Sequence, residues 1–177
     1  MTDTAKRIAG VVLAGGRSSR FGSDKAEAVF RGRKLIDWSI AALNPHCDMI
    51  LVSGRDHSAC RRVSDRPENG LGPLGGLAGA MQAAGAAGFT HVLSLPCDTP
   101  DVPEALLEDL CRSNGAYAAA SPVIGLWPTV DGERLEAWLA EGRPKAVRAW
   151  AEANGYVAVA SGPILNINRI ADMPDRQ

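Results

Sequence analysis

The chain has 177 residues, 46% of them apolar and 22% charged, and 19 Lys and Arg set against 20 Asp and Glu leave a formal net charge of −1. That length is the length of one domain with its own core, read as residues 1–177 without a linker, and that balance excludes a sequence-independent grip on nucleic acid, which needs many uncompensated cations facing phosphates. Aromatics are 5% while glycine supplies 19 residues, so the core must be built from small and aliphatic side chains.

In chain order, residues 8–14 form a continuous apolar run cut off by Gly15-Gly16, the pattern of a strand buried on both faces. Leu35, Ile36, Ile40 and Leu43 then recur at helical spacing and stop at Asn44-Pro45. Residues 49–52 read as a second buried strand, and the Ala-rich stretch 76–87, with Leu77 and Met81 four apart, as a helix with a small-residue face. A third strand is expected over 91–95, ending at Pro96, and a helix over 103–112 with Pro103 in its first position. Helices over 133–140 and 144–154 and a late strand over 156–160 complete the pattern. Strands alternating with helices imply βαβ units and a mostly parallel sheet covered on both faces.

Cysteines 47, 60, 97 and 111 form no CxxC pair and no disulfide framework, so they read as free thiols of a reducing compartment. No 18-residue apolar run exists and the first seven residues are polar without a signal-peptide pattern, which makes cytoplasm the expected location and excludes a membrane span.

In a parallel sheet, ligands bind beyond the carboxyl ends of the strands. The loop after the first strand, Leu13-Ala14-Gly15-Gly16-Arg17-Ser18-Ser19-Arg20-Phe21-Gly22-Ser23-Asp24-Lys25, combines glycines, which let backbone N–H groups approach phosphate oxygens, with cations that neutralise them. It matches neither GxxxxGK[ST] nor GxGxxG, and by composition alone it is equally a solvated Gly-rich turn. Pro96-Cys97-Asp98-Thr99-Pro100 places a carboxylate at a strand end between stiffening prolines. Mg²⁺ takes one or two carboxylates together with phosphate oxygens and water, and Asp98 is positioned to supply one, or else to cap the next turn. Gly72-Pro73-Leu74-Gly75-Gly76, after Asp65, is a Gly-rich turn leading into a helix. His46, His57 and His91 show no ligand spacing, and no Ser/His/Asp or Cys/His constellation is recognisable.

The order Leu-Ala-Gly-Gly-x-Ser-x-Arg-Phe-Gly-x-Asp-Lys, Gly-Pro-Leu-x-Gly and Pro-Cys-Asp-x-Pro closely resembles the molybdenum cofactor guanylyltransferase family of nucleotidyltransferases, over nearly the whole chain. Gly142-Arg143 and Leu165-Asn166-Ile167-Asn168 extend the likeness, and Gly15-Gly16 and the Pro-Cys-Asp triplet favour the guanylyl branch over the cytidylyl one. The resemblance implies a three-layer α/β/α Rossmann-like nucleotidyltransferase fold and Mg²⁺-dependent transfer of GMP from GTP to molybdopterin with release of pyrophosphate. Partner proteins of molybdoenzyme maturation are expected to receive the product; nucleic acid and membrane are not expected partners.

Carried across by position, the resemblance assigns Leu13, Ala14 and Gly15 to guanine and ribose, Gly16, Arg20 and Lys25 to the triphosphate, Asp65 to the nucleotide near its base, and Asp98 to Mg²⁺. Lys25, Arg20 and Asp98 would be the catalytic set. Asn168 stands where many relatives have a second metal contact, although an Asn near a turn also satisfies backbone groups in the ordinary way. Ser53 occupies a nucleotide-binding position usually held by Asn. Residues 116–130 carry no charge where the family usually has Arg or His on the acceptor side. That leaves Arg143, Lys145 or Arg148, beside Ser121 and backbone groups, to hold an anionic pterin. The alternatives are a cytidylyltransferase using CTP with molybdopterin, another nucleotidyltransferase with a phosphate acceptor, and a nucleotide-binding module without turnover.

Overall fold

The computed structural model describes residues 6–15 and 25–167. In chain order come β1 (Ile8–Leu13), a single 3-10 turn (Lys25–Glu27), a hairpin of β2 (Val29–Phe30) and β3 (Arg33–Lys34), then α1 (Leu35–Leu43), β4 (Met49–Ser53), β5 (Arg61–Val63), α2 (Pro73–Ala86), β6 (His91–Pro96), α3 (Glu104–Arg112), β7 (Ala116–Ala118), β8 (Gly125–Pro128), α4 (Gly132–Ala140), α5 (Val147–Ala153) and β9 (Val157–Val159). The main sheet has the order β5-β4-β1-β6-β8-β7-β9. β1 pairs parallel with β4 and β6, β4 pairs parallel with β5, and β8 runs antiparallel to both its neighbours. β7 and β9 pair parallel.

Period-two alternation along β1 distributes its side chains between two cores. Ala9, Val11 and Leu13 join Leu74, Leu77 and Met81 of α2, Leu135 and Leu139 of α4 and Trp150 of α5. Ile8 and Val12 join Ile36 and Leu43 of α1 and Leu106, Leu107 and Leu110 of α3 on the other face. The result is the mostly parallel, three-layer arrangement expected from the sequence. Among the described residues no helix is long and apolar enough to cross a membrane, and all four cysteines are free thiols.

The small-residue face of α2 has a steric purpose. A Cβ on Gly79 would fall 1.9 Å from the Ser64 carbonyl oxygen, and one on Gly76 would fall 2.4 Å from Ser53 Oγ. Glycine at these positions lets α2 lie directly on the ends of β4 and β5.

Several boundaries differ from the sequence reading. α2 begins at Pro73, so Leu74 and Gly75 lie inside the helix rather than ahead of it. Pro103 is the N-cap of α3 rather than its first residue, a position where the missing N–H also costs nothing. The helix expected from residue 144 starts at Val147, and the late strand is confined to Val157–Val159. β5, β7, β8 and the hairpin were not foreseen.

Residues 116–130 hold two of the unforeseen strands. This stretch is uncharged because it supplies two strands to the core: Ala116, Tyr117, Ala118, Leu126 and Trp127 are all buried. Trp127 donates from Nε1 to Ser94 Oγ at 2.8 Å, and that hydroxyl donates to the Val123 carbonyl at 2.6 Å. A buried indole N–H thereby finds a partner, as it must.

Candidate active site

The carboxyl ends of β4, β1 and β6 are tied to one another. Ala14 N donates to Ser53 O at 3.0 Å and Cys97 N donates to Leu13 O at 3.2 Å, so the first residues of the glycine-rich loop are fixed between the two flanking strands. Gly54, at φ 91°, lies against Gly15: a Cβ on Gly54 would fall 2.3 Å from the Gly15 Cα. Only glycine accommodates both the left-handed conformation and that approach. Leu13 is buried, Ala14 half-buried and Gly15 exposed, which grades the backbone outward toward solvent where a ligand would arrive. Gly16, Arg17, Arg20 and Gly22 lie outside the described residues, and the backbone of Lys25 opens the 3-10 turn.

Asp65 stands between β5 and α2 and accepts two hydrogen bonds, from Ser53 Oγ to Oδ1 at 3.2 Å and from Gly70 N to Oδ2 at 3.1 Å. Arg66 N adds a bond to Gly75 O at 3.0 Å. The carboxylate therefore braces the approach to α2. Ser53 is 2% exposed, wedged between Asp65 and the bare face of Gly76. The hydroxyl thus reaches Asp65 in a space that the side chain of an asparagine would overfill without movement of α2.

Asp98 follows the end of β6. The turn that carries it is fixed at Pro96, whose carbonyl accepts from Ser39 Oγ at 2.9 Å and from Thr99 Oγ1 at 3.2 Å. Both hydroxyl residues are buried. The Asp98 carbonyl accepts from Ile167 N at 2.9 Å, and Ile167 is itself buried with Phe30 and Leu35. The returning chain is thereby pinned beside Asp98, and the next residue in sequence, Asn168, lies outside the described residues. The sequence reading did not single out Ser39 or Thr99. A serine within the apolar face of a helix, and a Thr directly after Asp98, were the available signals.

A second group missed from the sequence surrounds Glu27. Lys34 Nζ approaches Glu27 Oε2 at 2.6 Å and Arg55 Nη1 approaches Oε1 at 3.4 Å, joining the hairpin to the loop after β4. The hydrogen bond and charge of Glu27 raise the Lys34 ammonium above its ordinary pKa. His57 Nε2 lies 3.1 Å from Asp37 Oδ1, and His91 Nδ1 lies 2.9 Å from Thr90 Oγ1, so both rings have local partners.

The opposite half of the carboxyl edge is formed by the turn over residues 119–123. Because β8 is antiparallel to both β6 and β7, β7 runs with β6 and its end emerges on the same edge. Arg148 Nη2 donates to Ala119 O at 2.6 Å and Ala120 N donates to Ser161 Oγ at 3.2 Å. Arg143 is directed elsewhere, with Nε 2.7 Å from Glu141 Oε2 and its guanidinium 4.9 Å from the Trp138 ring centroid. Lys145 is exposed in the segment before α5. Of the three cations considered for the acceptor, Arg148 is the one bonded to this turn.

Among the described residues no three His, Cys, Asp or Glu side chains group as a protein-only metal cage. The donor set fits an ion held by a single carboxylate and completed by substrate phosphates, the usual arrangement for Mg²⁺.

A mostly parallel sheet covered by helices on both faces, with a glycine-rich segment in the sequence after β1 and Asp98 after β6, is the arrangement the sequence reading expects of a nucleotidyltransferase. Residues 10–161 match the MobA-like NTP transferase domain, and the chain belongs to that family. A molybdenum cofactor guanylyltransferase of Cereibacter sphaeroides is 35% identical over 184 residues, covering 94% of each chain. The solved molybdopterin-guanine dinucleotide biosynthesis protein A of Archaeoglobus fulgidus shares the fold with a TM-score of 0.70 at 19% identity, covering 93% of this chain and 94% of the other. A Mycobacterium tuberculosis H37Rv protein solved in complex with manganese superposes with a TM-score of 0.63 at 16% identity over 96% of both chains.

Proposed function

We propose that the protein transfers GMP from GTP to molybdopterin, releasing pyrophosphate, with Mg²⁺ as the metal. The observation that carries this reading is the 35% identity to a guanylyltransferase along 94% of each chain, supported by the glycine-rich segment after β1 and the carboxylate after β6.

In this reading an oxygen of the acceptor phosphate attacks the α-phosphorus of GTP, a new P–O bond forms, and the bond to the β-phosphate bridging oxygen breaks. The acceptor phosphate is largely ionised near neutral pH, so no protein base is required. Two anions must approach each other, and the residues contribute chiefly by neutralising charge and fixing an in-line geometry. Leu13, Ala14 and Gly15 offer backbone groups to guanine and ribose, and Asp65 with Ser53 shapes the pocket near the base. Gly16, Arg20 and Lys25 hold the triphosphate, with Lys25 nearest the α-phosphate. Asp98 would hold Mg²⁺ through its carboxylate and Asn168 would add a second contact; the bound ion would offset charge on the phosphates. The whole chain acts as one catalytic domain, in the cytoplasm, and hands its product to proteins of molybdoenzyme maturation.

Thermal stabilisation by nucleotides with and without Mg²⁺ tests the nucleotide half. GTP with Mg²⁺ is expected to raise Tm well above CTP or UTP; a preference for CTP would instead establish a cytidylyltransferase. Pyrophosphate release with GTP, Mg²⁺ and molybdopterin tests turnover. GTP binding without release would identify a nucleotide-binding module.

A further inference from the structure

The carboxyl edge offers two stations. Asp98 follows the end of β6 and Ala119 the end of β7, with β8 between them, so the two strand ends are two strand spacings apart, about 10 Å. A phosphate reacting beside Asp98 leaves the second station for the remote end of its own molecule. Molybdopterin has such a shape, with fused rings separating its phosphate from the carbonyl of the pterin.

Arg148 is the cation built into that second station. Its Nη2 donates to Ala119 O at 2.6 Å, and its guanidinium carbon lies 5.9 Å from the ring centroid of Tyr117. Nη1 is 3.9 Å from Glu152 Oε1, a long and exposed pairing of little energetic weight. Residues 116–130 contribute no charged side chain, and Arg143 is occupied with Glu141 and Trp138. A guanidinium has five N–H donors in a fixed plane. Fixing one on the Ala119 carbonyl keeps the guanidinium beside the turn that follows β7.

We infer that Arg148 recognises the pterin end of the acceptor by donating to its ring carbonyl, an oxygen of the same lactam type that arginine reads on guanine. This rests on the molybdopterin reading above. Arg148 is a specificity residue at a distance from the phosphorus and takes no part in bond making.

Steady-state kinetics and Mg²⁺-GTP titration on the full chain test the assignment. Arg148→Ala is expected to raise KM for molybdopterin roughly tenfold or more, the equivalent of about one charge-assisted hydrogen bond, with kcat and the Kd for GTP nearly unchanged. Arg148→Lys keeps the charge and a donor for Ala119 but loses the planar fork, and is expected to restore little of the KM. The phosphate-free compound 6-hydroxymethylpterin should compete with molybdopterin in the wild type and lose that competition in Arg148→Ala. An unchanged KM in Arg148→Ala, while the wild type turns over, overturns this assignment alone. Failure of the pterin to compete with wild type overturns the pterin-end role. Absence of wild-type turnover with molybdopterin overturns the function proposed above, and this assignment with it.

Discussion

The two halves of the sheet are built by different rules. β5, β4, β1 and β6 are parallel, their loops cross-tied by short backbone bonds and by Asp65, and α2 lies on them through glycines that no larger residue could replace. β8, β7 and β9 mix directions, and large aromatics fill their core: Trp127 and Tyr156 pack edge to face with centroids 5.1 Å apart, and Trp138 and Trp150 at 5.6 Å. The first half is made rigid by close backbone approach and the second by side-chain volume. Substitutions in the first are therefore expected to be felt in nucleotide handling, and those in the second in stability or acceptor selection.

The sharpest division should appear in chemistry. Lys25→Ala and Asp98→Asn are each expected to lower kcat by on the order of 10² to 10³, as loss of one charge-stabilising group does, with thermal stability little changed. Near-normal turnover in either would remove that residue from the catalytic set. On the other side of the sheet, Trp127→Ala is expected to lower unfolding free energy by about 3–5 kcal/mol through the cavity it leaves, read by urea denaturation. A folded remainder of that variant should still bind GTP. A loss of GTP affinity out of proportion to stability would show that the two halves are coupled.

Smaller effects refine the boundary. Gly79→Ala must push α2 off Ser64, at a cost of about 1–3 kcal/mol for an overpacked contact, and it should weaken GTP binding because Asp65 is the next residue. A stability loss with unchanged GTP affinity would dissociate the two. Ser53→Ala removes one donor to Asp65, worth about 1 kcal/mol, and is expected to raise the KM for GTP modestly while leaving that for the acceptor alone.

The smallest effect is one of pH. Burial, and then the charge of Lys6, lower the His91 pKa below its ordinary value of 6.5. The unfolded chain therefore binds the proton more readily, and this contribution to stability is complete above pH 6.5 and lost as pH falls through the lower folded value. His91→Gln should flatten that part of a denaturation-midpoint profile. An identical slope in the variant would assign the pH dependence to another group. His91 begins β6, at the end opposite Asp98, so GTP affinity should not follow the same profile.

The parallel half was legible in the sequence because its strands are continuous apolar runs ended by glycine or proline, as β1 and β6 show. The strands of the other half were not. β7 (Ala-Tyr-Ala) and β8 (Gly-Leu-Trp-Pro) are too short to show a period of two, so burial in the core, the reason this segment carries no charge, was not legible. β5 is three residues with two arginines at an edge, where pairing rather than hydrophobicity makes the strand. At the site, positions came from motif order, whereas the partners did not. Nothing in the spacing of Ser53 and Asp65 announces their hydrogen bond, and Ser39, far from the motif in sequence, supports Pro96 only once α1 is folded over the sheet. Arg148 likewise gained meaning only when the direction of β7 placed Ala119 on the edge that carries Asp98.

The bond between Ile167 and Asp98 orders events in time. A growing polypeptide leaves the ribosome from its amino end, so β1, β4 and β6 are available to pair well before residue 167 has been made. Joining residues so distant in sequence closes a long loop, and such contacts reward the chain only late in folding. The turn bearing Asp98 thus receives its last strut after the sheet that presents it. A chain interrupted before residue 167 would carry the nucleotide loops without the finished brace, so competence for transfer should trail behind the acquisition of compact structure during synthesis.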